Sequence, residues 1–120
     1  MTFKTFAVIQ HVPDRNSWKV AQDLVYWTPD VNITVPVGFE TDLASVPRLF
    51  WGLIPHADKH IVEPSIIHDY MYAGKTSVVK RSEADRILRA ACKEMGAPAW
   101  YYWAVWAAVR IGGGSAWRGS

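Results

Sequence analysis

A chain of 120 residues is long enough to bury one hydrophobic core and too short for two ordinary domains. Half of it is hydrophobic and 20% is charged, which excludes a disordered chain, and a net charge of +2 excludes a strongly basic nucleic-acid binder. The single cysteine, Cys92, excludes an intramolecular disulfide and with it a disulfide-stapled secreted scaffold. The two short basic groups, Lys80-Arg81 and Arg86/Arg89, form no stripe along which a duplex could lie, so no nucleic-acid partner is expected. Seven Trp residues are many for this length and can supply core, a lipid interface or a partner surface. The N-terminus lacks a basic segment followed by a long apolar one, so no signal peptide is read there. The longest apolar run, Ala97 to Val109, falls short of the ~20 residues that span a bilayer.

In chain order, the first 40 or so residues read as extended. Phe3 to Ile9 predicts a strand, ended by a turn over His11 to Asn16. Trp18 to Trp27 predicts a second strand, Thr28-Pro29-Asp30 a turn, and Asn32 to Val37 a third strand with Pro36 at an edge or end. Short turns between successive strands favour an antiparallel meander. After Gly38 the character changes. Thr41 to Arg48 reads as a loop feeding a short helix, Pro47 to Ile54, stopped by Pro55. Glu63-Pro64 opens a helix ending at Ala73-Gly74. Ser82 caps the next, which runs to Met95 and stops at Gly96. Pro98 starts the last, Ala99 to Arg110, ended by Gly112-Gly113-Gly114. Strands first and helices after predict one α+β domain over residues 1–120. It comprises a small antiparallel sheet of about three strands in 1–37, a loop and three to four packed helices in 38–112, and a mobile tail 113–120 apart from Trp117.

The most informative segment is Pro64-Ser65-Ile66-Ile67-His68-Asp69-Tyr70-Met71-Tyr72-Ala73. An ionisable pair inside so apolar a run costs free energy unless it is paired, metal-bound or facing water. On a helical wheel Ser65, His68, Asp69 and Tyr72 share one sector of about 100°. His68 and Tyr72 are neighbours at i,i+4, whereas Asp69 points aside and is free for another ligand. The following helix buries Ala84, Ile87, Leu88, Ala91 and Met95, with Asp85 at the border of that stripe. Packed antiparallel to the His68 helix, it brings the Asp85 carboxylate to the imidazole. A carboxylate on one ring nitrogen fixes the tautomer and strengthens the other as a base. Asp69, with Asp42 as a second oxygen donor, is then placed to bind a hard cation.

The pattern His68-Asp69-x-x-Tyr72, followed by a helix carrying Ala84-Asp85, resembles the catalytic core of the phospholipase A-two superfamily, most nearly its members with few cysteines. That resemblance implies His68 as general base, Asp69 as a calcium ligand, and Tyr72 and Asp85 as supports of the histidine. It departs from that family in lacking the disulfides and the Gly-rich calcium loop. A second resemblance covers roughly residues 33 to 117. Val37 to Arg48, Ile67 to Tyr72, Arg81, Ala84-Asp85 and Ala108-Val109-Arg110 are similar to a small phage and prophage protein family of undefined function. It implies a phage origin, with the protein in the infected host's cytoplasm or in the particle, and assigns no activity.

Each candidate also has a plainer reading. His68 and Asp69 fit a structural polar cluster with Tyr residues and the Thr41-Asp42 loop. Ser82-x-x-Asp85 fits a capping box, and Tyr72 fits packing. Ser45 before Pro47 reads as a helix cap rather than a nucleophile. His56 and His60 have zinc-ligand spacing, but Pro55 and the absence of a His-Glu-x-x-His pattern argue for a loop. Cys92 reads as inert core. The cluster Trp100-Tyr101-Tyr102-Trp103-x-x-Trp106 covers all sides of its helix and reads first as buried, second as a lipid- or protein-facing surface. The leading expectation is a phage-associated, calcium-assisted lipid esterase. The alternatives are a non-enzymatic virion or assembly protein whose partners are phage structural proteins, and a metal-dependent cell-wall amidase or peptidase.

Overall fold

The alternating segments of the N-terminal half become six short strands, and the apolar-periodic segments become helices, in the computed structural model, which describes residues 2–14, 17–29, 32–41, 60–76, 80–114 and 117. The strands are β1 (Thr2–Phe3), β2 (Ile9–Val12), β3 (Ser17–Val20), β4 (Leu24–Trp27), β5 (Asn32–Val35) and β6 (Glu40–Thr41). The helices are α1 (Val62–Tyr72), α2 (Arg81–Glu94) and α3 (Ala99–Gly112). This is the α+β order predicted from the sequence.

The strands form two antiparallel three-stranded sheets, β1-β4-β5 and β2-β3-β6, in place of the single meander expected. The predicted strand Trp18 to Trp27 divides at Ala21-Gln22-Asp23. There the Asp23 side chain accepts from Val37 N (3.0 Å) and its carbonyl accepts from Thr5 Oγ1 (2.9 Å), so side-chain bonds replace a ladder. The predicted strand Phe3 to Ile9 is likewise interrupted, and Ala7 N donates to Glu63 Oε2 of α1 at 3.1 Å rather than to a strand. The predicted turn at His11 shortens because β2 continues through Val12, paired with Ser17. In the β4-β5 ladder Leu24 lies opposite Val35 and Tyr26 opposite Ile33, and all four side chains are buried on one face.

Gly74 (φ 76°) ends the first helix and Gly96 (φ 89°) ends the second, both in the left-handed region where a side chain is disfavoured. α2 starts one residue before Ser82, with Lys80 at the cap position and no side-chain cap bond, so the predicted serine cap is not used. The predicted helix at 47–54 lies outside the described residues.

α1 packs against β4, β5 and α2, and α2 packs against α3. One apolar cluster joins Leu24, Tyr26, Ile33 and Val35 to Ile66, Ile67, Met71 and Ile87; a second joins Leu88 and Cys92 to Tyr101, Val105 and Val109. α1 is therefore buried on nearly every side, and the polar residues at 65, 68 and 72 go inside with the rest. α3 does not follow the expectation of full burial: Tyr101 is inside, but Trp100 and Trp103 are exposed. No helix among the described residues is long and apolar enough to cross a membrane.

Because Ile67 is fully buried between sheet and helices, its truncation removes packing on both sides. Ile67→Ala is expected to lower unfolding free energy by about 2–5 kcal/mol, measured by urea denaturation.

Candidate functional site

Three helices converge on one carboxylate. α1 presents His68 and Tyr72 four residues apart, their rings 4.1 Å between centroids. α2, packed against α1, carries Asp85 into the gap. His68 Nε2 lies 2.7 Å from Asp85 Oδ1, and the Tyr72 hydroxyl donates to the same oxygen at 2.5 Å. Arg110 of α3 donates from Nη1 to Asp85 Oδ2 at 3.0 Å, and Arg81 Nε stands 3.9 Å from that oxygen. Arg81 Nε also donates to the Tyr72 hydroxyl at 3.0 Å. Its Nη2 donates to the carbonyls of Val109 (2.7 Å) and Arg110 (2.9 Å) in the last turn of α3, the first of which also accepts from Gly113 N at 2.9 Å. Trp117 stacks edge-on against Tyr72 at 5.1 Å.

Asp85 is 0% exposed, His68 2% and Tyr72 5%. Burial alone pushes the Asp85 carboxyl up. The hydrogen bonds from His68 and Tyr72, the charge interaction with His68 and the bond from Arg110 together outweigh it, and its pKa falls below the usual aspartate value. The Tyr72 phenol is pushed well above its ordinary range, first by burial and then by its bond to the Asp85 charge, with Arg81 opposing. It therefore stays protonated and remains a donor. Burial likewise pushes the Cys92 thiol up to about 12, in line with inert core.

An ionised carboxylate only accepts hydrogen bonds, so His68 Nε2 carries the proton. In the neutral ring Nδ1 then carries the lone pair. Nδ1 is buried and has no hydrogen-bond partner among the described residues. A buried polar atom left in this state calls for an explanation.

The contact expected between the imidazole and Asp85 thus forms, and Tyr72 joins it. Asp69 Oδ2 accepts from the buried Thr41 hydroxyl of β6. Asp42, Ser45, Arg48 and His56 lie outside the described residues. His60 lies 5.4 Å from the Tyr101 ring, and among the described residues no group of three or more His, Cys, Asp and Glu is placed to hold a metal. Calcium takes about six to eight oxygen ligands. Asp69 accepts from the Thr41 hydroxyl, and Asp42, the second oxygen donor expected, lies outside the described residues.

Asp85 is not a first-turn capping residue, because α2 begins at Arg81 and the carboxylate is wholly inside rather than at the border of the stripe. Arg81 and Arg110, quoted only as parts of a resemblance, are the cations of the site. Their signal is in the spacing: Arg81 stands one turn before Asp85 on α2, and Arg110 is the basic residue of the last turn of α3. Gly113 does more than stop α3. A Cβ there stands 2.7 Å from the Val109 carbonyl oxygen and 3.2 Å from the Tyr72 hydroxyl.

Gly113→Ala is therefore expected to displace Tyr72 from Asp85 and cost about 1–3 kcal/mol, checked by thermal unfolding alongside Tyr72→Phe, which removes the same hydroxyl without crowding. Asp85 supplies stability that is complete above its unfolded-state pKa of about 3.9 and is lost as pH falls through the lower folded value. Asp85→Asn is expected to cost about 3–5 kcal/mol at pH 7. The stability difference between wild type and this variant should shrink steadily as urea titrations are taken below about pH 4.

No curated protein and no solved structure matches the chain. A family model described as a protein of unknown function (DUF1353) matches residues 18–109. With that match spanning most of its length, the chain belongs to the DUF1353 family.

Proposed function

We propose that the protein is a hydrolase in which His68 is the general base and the bond attacked is an ester, with lipid esters as the substrate class. The observation that carries this reading is the His68 ring itself. One nitrogen is held by a carboxylate that has three further cationic or hydroxyl partners, while the other is buried and unpartnered among the described residues. Carboxylate-backed imidazole is the arrangement that general-base catalysis needs, because the carboxylate fixes the tautomer and stabilises the imidazolium that forms.

In this mechanism Nδ1 removes a proton from water as the oxygen adds to the ester carbonyl carbon. The imidazolium is held through Nε2–H by Asp85. As the tetrahedral adduct collapses, Nδ1–H returns its proton to the departing alkoxide, giving the acid and the alcohol. Tyr72, Arg81 and Arg110 act as positioning residues, since they touch Asp85 or its partners and not the reacting atoms. The ring is 2% exposed, so water and substrate reach Nδ1 only when what covers it moves aside. Asp69 ties α1 to β6 through Thr41.

The same burial favours a second reading, a non-enzymatic phage virion or assembly protein in which the cluster is a polar lock between helices. The two separate by experiment. Fatty-acid release from phospholipid vesicles, and hydrolysis of a water-soluble ester, are measured for the wild type and His68→Asn. Under the hydrolase reading the variant loses about 100-fold or more in rate, with Asp85 still holding Tyr72 and Arg110 and the fold intact by circular dichroism. A wild-type protein with no hydrolysis of either substrate, and a variant whose only change is a lower Tm, overturns it in favour of the lock.

A further inference from the structure

α3 buries Tyr101, Val105, Ala108 and Val109, and its opposite face is apolar as well. Trp100 is 58% exposed, Trp103 49% and Ile111 76%. On a wheel of about 100° per residue these three, with Ala104 and Ala107 between them, fall in one sector of about 100° that carries no charged residue. Beside this face α2 presents Arg86, Arg89 and Lys93 at the i, i+3, i+7 spacing of a single helix side. The Arg89 guanidinium lies 4.2 Å from the Trp103 ring centre and 5.6 Å from that of Trp106, so the cationic and aromatic rows adjoin. An open groove of about 410 Å³ lined by Ser82, Glu83, Arg86, Arg89 and Trp106 continues the surface along α2. Arg86 remains 43% exposed, with Glu83 3.9 Å away at the groove's acidic corner.

Exposed indoles, a helix face without charge and an adjoining row of cations suit the boundary of an anionic bilayer. Indole rings sit at headgroup level, and arginine and lysine stems lie along apolar surface while their charges meet lipid phosphates. The ring geometry disfavours a single-stranded nucleic acid. Bases stack on open aromatic faces, and the Trp103 ring is covered by Arg89 on a face and approached by Trp106 at 83°. α3, at 14 residues, is too short to span a bilayer and has the right form to lie in its plane.

We infer that α3, through Trp100, Trp103 and Ile111, docks the protein on an anionic lipid surface, with Arg86, Arg89 and Lys93 of α2 engaging the headgroups. This surface shares its lipid chemistry with the hydrolase reading and uses none of that reading's residues.

The test is co-sedimentation with vesicles of equimolar phosphatidylglycerol and phosphatidylcholine, set against pure phosphatidylcholine, at low salt. Wild-type protein binds the anionic vesicles, with a blue shift of tryptophan emission, and binds the neutral ones far less. Trp100→Ser/Trp103→Ser weakens binding at least about 10-fold. Arg86→Ala/Lys93→Ala weakens it by about 30-fold on the anionic vesicles alone. Both sets of side chains are outside the core, so melting temperatures stay near wild type. His68→Asn binds vesicles like wild type, which separates this surface from the hydrolase site: binding without hydrolysis sinks only the enzyme, and hydrolysis of a soluble ester without binding sinks only the docking surface. Wild-type protein that ignores anionic vesicles overturns the inference. So does a dimer, seen by sedimentation velocity and dissolved by the Trp double variant, that forms in place of vesicle binding.

Discussion

The Asp85 carboxylate is the constraint on which the helical half of the molecule depends. It is fully buried, and a bare charge there is prohibitive. It accepts hydrogen bonds from His68 and Tyr72 of α1 and from Arg110 of α3, and Arg81 of its own helix adds an ion pair at 3.9 Å. Two of these groups also fix something else. Arg81 closes the C-terminal carbonyls of α3, so the end of that helix is tied to the start of α2. Tyr72 is packed between the carboxylate, Trp117 and the backbone at Gly113, where the missing Cβ leaves room for its hydroxyl. The helix arrangement and the geometry of the imidazole are thus consequences of one ionised group, and neither can relax without uncovering it.

This arrangement also explains why stability and chemistry are hard to separate at the site. A buried charge network is weak as a source of net stability, yet costly to break at any single member. The same desolvation that makes Asp85 costly makes it effective at orienting His68, because its field is not screened by water. His68 Nδ1 lies on the other edge of the ring, outside the network. It is the one part of the cluster that the fold's own requirements do not account for among the described residues, and that is why the functional proposal rests there and not on the carboxylate. Asp69, next to it in sequence, joins α1 to the sheet through Thr41.

The molecule carries its two unusual chemical features on different sides of the same helices. The polar cluster lies at the junction of the helices, while the exposed tryptophans occupy the outer side of α3. Alternation of small and large residues along α3 lets Val105, Ala108 and Val109 pack against α2 while the indoles stand away from the core. An aromatic-rich helix of this kind is not required by packing, since its buried side is already filled.

Much of this was legible in the residues themselves. Periodicity and the glycines at 74 and 96 give the helices nearly to their ends, because a left-handed stop demands glycine. The i,i+4 spacing of His68 and Tyr72 is a property of any helix and put them together before any tertiary contact was known. The contact of His68 with Asp85 followed from assuming an antiparallel neighbour. What sequence alone did not decide were the breaks in the strands, because side chains such as Asp23 and Glu63 took over backbone bonds from a ladder. Nor did it decide the roles of Arg81, one turn before Asp85, and Arg110, which comes from another helix, or which side of α3 faces out, since aromatic residues occupy both. Local pattern specifies elements because its forces act within a few residues; only packing chooses which donors reach a buried charge and which indoles are left in water.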